Sequence, residues 1–104
     1  MNLRVLERLS LLALLPNEGD FTTLRIVREL RERLSFTEEE HKGLDFRRTD
    51  SGEVEWKAAA DPEREFEFSP LELSIITEAL KKADKAKKLT LDHMSVYEKF
   101  MEAA

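Results

Sequence analysis

The spacing of apolar residues near the start of the chain predicts a helix over residues 2–15. Its apolar positions recur every three or four residues and predict one buried face: Val5, Leu6, Leu9, Leu12 and Ala13. The charged side chains of Arg4, Glu7 and Arg8 are expected on the opposite face, in water. Pro16 ends the helix, since proline cannot continue the hydrogen-bond ladder.

Two further helices are predicted before the middle of the chain. The first covers residues 21–34, with Asp20 as its N-cap. The second is short and begins after Ser35 or Thr37, because each has a glutamate three residues later, the spacing of a capping box. Gly43 is expected to end it, since glycine adopts the left-handed conformation that closes many helices.

From Leu44 the apolar period changes from that of a helix to that of a strand. Residues 44–48 and 53–57 alternate apolar and polar side chains around the turn residues Asp50, Ser51 and Gly52, which predicts a β-hairpin. Residues 58–62 are expected to form a linker. A third strand follows, and the four aromatic side chains of the three strands should share one helix-covered face: Phe46, Trp56, Phe66 and Phe68.

The last third of the chain predicts two more helices. Ser69 and Glu72 have capping-box spacing around Pro70, and the helix they start should run to about residue 87. Thr90 is expected to cap a last helix over residues 91–101. The whole pattern predicts one α+β domain over residues 1–104, with a three-stranded antiparallel sheet, and its first elements also follow the order of a winged helix.

Composition narrows the classes of function. The 17 basic and 22 acidic residues give a net charge of −5, which disfavours nucleic acid and anionic membranes as partners. The absence of cysteine excludes disulfides and thiolate chemistry. The apolar run over residues 9–15 is too short for a membrane span or a signal peptide, so a cytoplasmic protein is expected.

No spacing in the sequence matches a catalytic or cofactor-binding motif. His41 and His93 stand alone, without the other ligands that a metal site needs. No serine lies in a nucleophile-elbow motif, and three glycines are too few for a phosphate-binding loop. We therefore expect a non-enzymatic protein with no catalytic, cofactor-binding or metal-binding residues.

Four stretches resemble a group of small hypothetical proteins of tailed phages and prophages. They are NLRVLER at residues 2–8, EGDFTTL at 18–24, FTEEEH at 36–41 and LTLDHMSVYEKF at 89–100. The resemblance covers most of the chain by overall pattern. It implies a phage or prophage source and a bacterial host, and it transfers no site residue.

The leading functional hypothesis is a homo-oligomeric protein–protein interaction factor, with a host or phage protein as a further candidate partner. The end of the first helix is apolar on all sides, and a two-fold interface would cover it. The candidate interface residues lie in the first and last helices: Leu11, Leu14, Leu15, Val96, Tyr97, Phe100 and Met101. The alternative is that the rest of the domain covers this helix.

Nucleic-acid binding by a winged helix is the second hypothesis. Its candidate basic patch combines the second helix with the hairpin: Arg25, Arg28, Arg31, Arg47 and Arg48. The third helix, which would enter the major groove, begins with three glutamates, and these would repel phosphates. A contact through the hairpin, with Arg47, Arg48 and Lys57, is the remaining form of this hypothesis.

Overall fold

The computed structural model describes residues 1–57 and 63–103 and has an α+β fold, as predicted. The described chain forms, in order, β1 (Asn2–Leu3), α1 (Val5–Leu14), α2 (Phe21–Leu34), α3 (Glu38–Leu44), β2 (Arg47–Arg48), β3 (Val54–Glu55), β4 (Arg64–Glu65), α4 (Pro70–Lys85), a 3₁₀ helix (Leu91–His93) and α5 (Met94–Ala103). The predicted linker at residues 58–62 lies outside the described residues.

Helix α1 lies at the centre of this arrangement, in contact with α2, α4, α5 and the 3₁₀ helix. Leu11 and Leu15 at its end are 1% and 2% exposed and belong to the hydrophobic core. Burying each leucine contributes about 1.5–3 kcal/mol relative to leaving it in water. Leu11 and Leu15 are therefore covered within one chain, as in the second of the two alternatives that the sequence left open, whereas Ala13 beside them is exposed.

The prediction of one three-stranded sheet is wrong. The described strands form two separate antiparallel pairs: β2 pairs with β3 in the hairpin, and β4 pairs with β1. Leu3 lies opposite Arg64, and the N–H of Phe66 donates to the carbonyl oxygen of Met1 at 2.8 Å. The prediction that residues 2–4 are helical is therefore wrong, because Asn2 and Leu3 pair with β4.

The predicted helix starts are confirmed where a capping side chain marks them. Asp20 accepts from the N–H of Thr23 at 2.7 Å, and Ser69 from that of Glu72 at 3.2 Å. The predicted stop at Gly43 is wrong, since α3 continues to Leu44 and Asp45 takes the left-handed conformation, with φ 48°. An aspartate tolerates this conformation better than most residues do.

The four strand aromatics divide into two clusters and do not form one covered face. Phe46 lies against Phe36, with ring centroids 5.1 Å apart, and Trp56 lies 6.3 Å from Phe46. Phe66 and Phe68 lie instead under α5, where Phe68 is 5.6 Å from Phe100. The hairpin therefore packs on α3, separately from the core around α1.

Candidate protein-interaction surface

The polar and apolar sides of α1 are inverted relative to a surface helix. Glu7 is 2% exposed and Arg8 is fully buried, so the prediction that these two side chains face water is wrong. Apolar residues of α1 reach solvent instead, among them Leu6, Leu9 and Ala13. These three residues are spaced three or four apart and form one stripe, which we call the α1 stripe.

Arg8 can be buried because its guanidinium donates hydrogen bonds to two carbonyl oxygens and one carboxylate. Its Nε donates to the carbonyl oxygen of Leu34 at 3.0 Å, and its Nη2 donates to that of Ser35 at 2.7 Å. Both carbonyls belong to the end of α2, where a helix leaves carbonyl groups without partners. Nη1 donates to Oε2 of Glu40 at 2.5 Å, and the guanidinium stacks 3.9 Å from the ring centre of Phe36.

Glu40 joins this buried arginine to the start of α3. Its Oε1 accepts from the N–H of Thr37 at 3.0 Å, which completes the predicted capping box. The hydrogen bond from Arg8 is the main reason that the pKa of Glu40 lies below its ordinary value of 4.5. Burial opposes this shift, whereas the N–H of Thr37 and the charge of Arg64 strengthen it.

Acid should weaken the fold through Glu40. A carboxyl group whose pKa is lower in the folded than in the unfolded chain stabilises the fold above its unfolded pKa, and this contribution disappears as the pH falls through the folded-state pKa. We expect the urea midpoint to fall as the pH drops from neutral to below 4.5, and to fall less in Glu40→Gln. Glu39→Gln, at the exposed neighbouring residue, is the control, and its urea midpoint should fall by as much as that of the wild type. Parallel curves for Glu40→Gln and the wild type would contradict this role.

Glu7 and the histidines are also engaged in structural contacts. Oε1 of Glu7 accepts from the N–H of Arg4 at 2.9 Å and from Nζ of Lys99 at 2.8 Å, which ties the start of α1 to α5. Nδ1 of His93 accepts from the N–H of Thr90 at 3.1 Å, while His41 lies edge-on to Phe46. In residues 1–57 and 63–103, no three His, Asp or Glu side chains form a group that could hold a metal ion.

A groove of about 480 Å³ lies between the end of α1, the start of α2 and the outer side of α4. Its apolar lining comes from both long walls: Ala13, Leu14, Pro16, Ile75, Ala79 and Ala83. Its charged lining has both signs: Glu18, Glu78, Lys82 and Lys88. Because Ala13 belongs to both, the α1 stripe continues into this groove, which we call the α4 groove.

The exposed side of α4 extends the groove towards the start of that helix. Leu71 lies one turn before Ile75 on the same helix face and is 55% exposed. Lys82 and Glu78 lie along the same side, one turn apart. Within the part of the chain that the structure describes, neither of these two side chains makes a hydrogen bond or an ion pair. The groove therefore offers apolar area between unneutralised charges.

Most of the interface residues predicted from sequence lie in the core of one chain. Four are at most 2% exposed: Leu11, Leu15, Val96 and Phe100. Leu14 lines the α4 groove, and Tyr97 and Met101 are half-buried against the core. The outer side of α4 was not predicted as an interface, although apolar residues at helical spacing mark it: Leu71, Ile75 and Ala79.

The predicted basic patch does not form one free surface. Arg25 and Arg28 are exposed on α2, but Arg31 donates to the carbonyl oxygen of Leu15 and to Asn17. Arg47 and Arg48 are neighbours in β2 and so point to opposite faces of the hairpin. Arg47 is also paired with Asp45 at 2.9 Å.

Comparison with known proteins identifies no relative. The chain matches no family model, no curated protein and no solved structure. None of the helices in the described residues has both the length and the apolar character needed to cross a membrane. Proposals about function therefore depend on the surface geometry described above.

Proposed function

We propose that this chain is a small non-enzymatic protein–protein interaction factor that works as a homo-oligomer, encoded by a phage or prophage and acting in the cytoplasm of a bacterial host. The observation that carries the proposal is the inverted surface of α1. A surface helix normally shows its charged side to water, whereas α1 shows Leu6, Leu9 and Ala13. Apolar surface of this kind, bordered by charged residues, is typical of interaction sites.

The polar residues near the core make structural hydrogen bonds and ion pairs, which supports a binding function over a catalytic one. Acid–base chemistry needs a titratable group free to contact a substrate. Among the described residues, Glu7 and Arg8 are the buried charged groups. Each of them, and Glu40 beside Arg8, is held by helix ends or ion pairs. The α4 groove, in contrast, is open to solvent and mainly apolar, which suits a partner's side chains.

Self-association is the first test. We expect light scattering to give the single-chain mass of 12.1 kDa at low micromolar concentration and about twice that mass at high micromolar concentration. Ala13→Glu places a charge where the α1 stripe meets the groove and should weaken association without changing the circular dichroism spectrum. Thr22→Glu, at an exposed position of α2, is the matched control. A wild-type chain that stays monomeric at high micromolar concentration would contradict the proposal.

Nucleic-acid binding through the hairpin is the second candidate. Half-buried Trp56 lies beside Arg47 and Lys57 in a shallow pocket, and single-strand binding sites combine aromatic and cationic side chains in this way. Residues 45–57 nevertheless carry four acidic and only three basic side chains, which opposes binding to phosphates. Salt-dependent binding of an oligonucleotide that requires Arg47 would favour this alternative.

A further inference from the structure

We propose that the α4 groove receives helix α4 of a second copy of this chain. The two α4 helices would lie antiparallel, related by a two-fold axis that crosses them midway between Glu78 and Lys82. This inference rests on the proposed self-association and assigns its contact surface. It is argued from the charges along α4, from the apolar residues between them and from the symmetry that a two-fold contact imposes.

The unneutralised charges of the groove match each other across such an axis. Glu78 and Lys82 are four residues apart, which is about 6 Å along a helix and less than a quarter turn around it. An axis that passes midway between them places each Glu78 carboxylate level with the Lys82 amine of the second copy. One two-fold contact therefore forms two identical ion pairs from groups that have no partner among the described residues of one chain.

The charge distribution along the whole helix selects the antiparallel direction. Glu72 and Glu78 lie in the first nine residues of α4, whereas its last five contain three lysines, Lys81, Lys82 and Lys85, and one acidic residue, Asp84. Two further lysines, Lys87 and Lys88, follow the helix. Antiparallel copies place the lysine-rich end of one helix beside the acidic part of the other. A parallel pair would place lysines against lysines, and like charges across an interface disfavour that arrangement.

The apolar residues of α4 fit the same axis. Leu71, Ile75 and Ala79 share the groove side of the helix with the two charges. The axis brings Ile75 within about one residue's rise of the level of Ala86 in the second copy. Ala79 lies beside the axis, and its small side chain allows the two backbones to approach to the roughly 8–10 Å that is typical of packed helices.

Charge reversal tests the reciprocal ion pairs. We expect Glu78→Lys and Lys82→Glu each to raise the dimer dissociation constant at least about tenfold, because each replaces two ion pairs by two like-charge contacts. The chain carrying both substitutions restores both pairs and should return to within a few-fold of the wild type. Mixing the two single variants should also give a dimer, since one chain then presents a lysine at both positions and the other presents a glutamate at both.

The measurement is sedimentation equilibrium from low to high micromolar concentration, with circular dichroism to confirm folding. Glu32→Lys, at an exposed position of α2, is the charge-reversal control and should dimerise like the wild type, as should Leu91→Glu in the 3₁₀ helix. Single reversals without effect would overturn the assignment of α4 while self-association stands. Single reversals that weaken the dimer without rescue in the double variant would overturn the two-fold pairing. A monomeric wild type would overturn both this inference and the proposed function.

Discussion

Replacing Arg8 with methionine should lower the free energy of unfolding by about 3–5 kcal/mol, the range expected when one partner of a buried ion pair is removed. Methionine keeps much of the side-chain volume but has no hydrogen-bond donor. The carbonyl groups of Leu34 and Ser35 would lose their donor, and the Glu40 carboxylate would lose its counter-charge. The end of α2 and the start of α3 should therefore both become less stable.

Urea unfolding followed by circular dichroism measures this loss. Arg25→Met is the matched control, because Arg25 is exposed on α2, and its effect should stay within about 0.5 kcal/mol. Combining Arg8→Met with Glu40→Gln should cost less than the sum of the two single substitutions, since the second removes the charge that the first leaves unpaired. A loss below about 1 kcal/mol for Arg8→Met would show that the guanidinium is not needed to join α2 to α3.

Phe100→Ala should also cost about 3–5 kcal/mol, the usual range for removing a buried aromatic ring. Phe100 is fully buried and lies against Phe68, in the cluster that joins α5 to the segment between β4 and α4. The sequence pattern alone placed the same residue at a subunit interface, so this substitution separates the two placements. Substitution of a core residue lowers stability at every protein concentration. Substitution of an interface residue of a folded monomer changes mainly the dimer dissociation constant.

The experiment compares thermal and urea unfolding of Phe100→Ala at low and high protein concentration. Leu91→Ala is the control, since Leu91 is 89% exposed and its truncation should change stability by no more than about 0.5 kcal/mol. A stable Phe100→Ala chain with weakened self-association would contradict the packing of α5 against the core.

The sequence predicted those elements whose limits are set by neighbouring residues. Asp20, Thr37 and Ser69 each cap the helix that follows, because a short polar side chain can reach the free N–H groups of the first turn. The turn between β2 and β3 is also local, and the hairpin forms as predicted. In each case the groups that determine the structure lie within a few residues of each other.

The elements that depend on distant residues were not predicted. Periodicity places Glu7 and Arg8 on the polar side of α1, and only the positions of Leu34, Glu40 and Lys99 make their burial favourable. The pairing of β1 with β4 joins two strands of two residues each, too short to show an alternating pattern. Neither arrangement leaves a mark in the local sequence.

The candidate surface was only partly predictable for a related reason. An apolar stripe on a helix marks a face that must be covered, but it does not say whether the cover is the same chain or another one. Val96 and Phe100 belong to such a stripe and lie in the core. Leu71 lies at the edge of the α4 groove and is exposed. The distinction depends on how α1 packs among α2, α4 and α5.

The tie between Glu7 and Lys99 has a consequence for how the protein is made. These two residues are 92 positions apart, and Lys99 also donates to the carbonyl oxygen of Asn2 at 2.8 Å. A ribosome delivers the N-terminal residues first, so α1 must wait until almost the whole chain described here has emerged before its buried carboxylate meets this amine. Contacts this distant also slow folding. Nascent chains should therefore remain protease-sensitive until α5 has been synthesised and has docked.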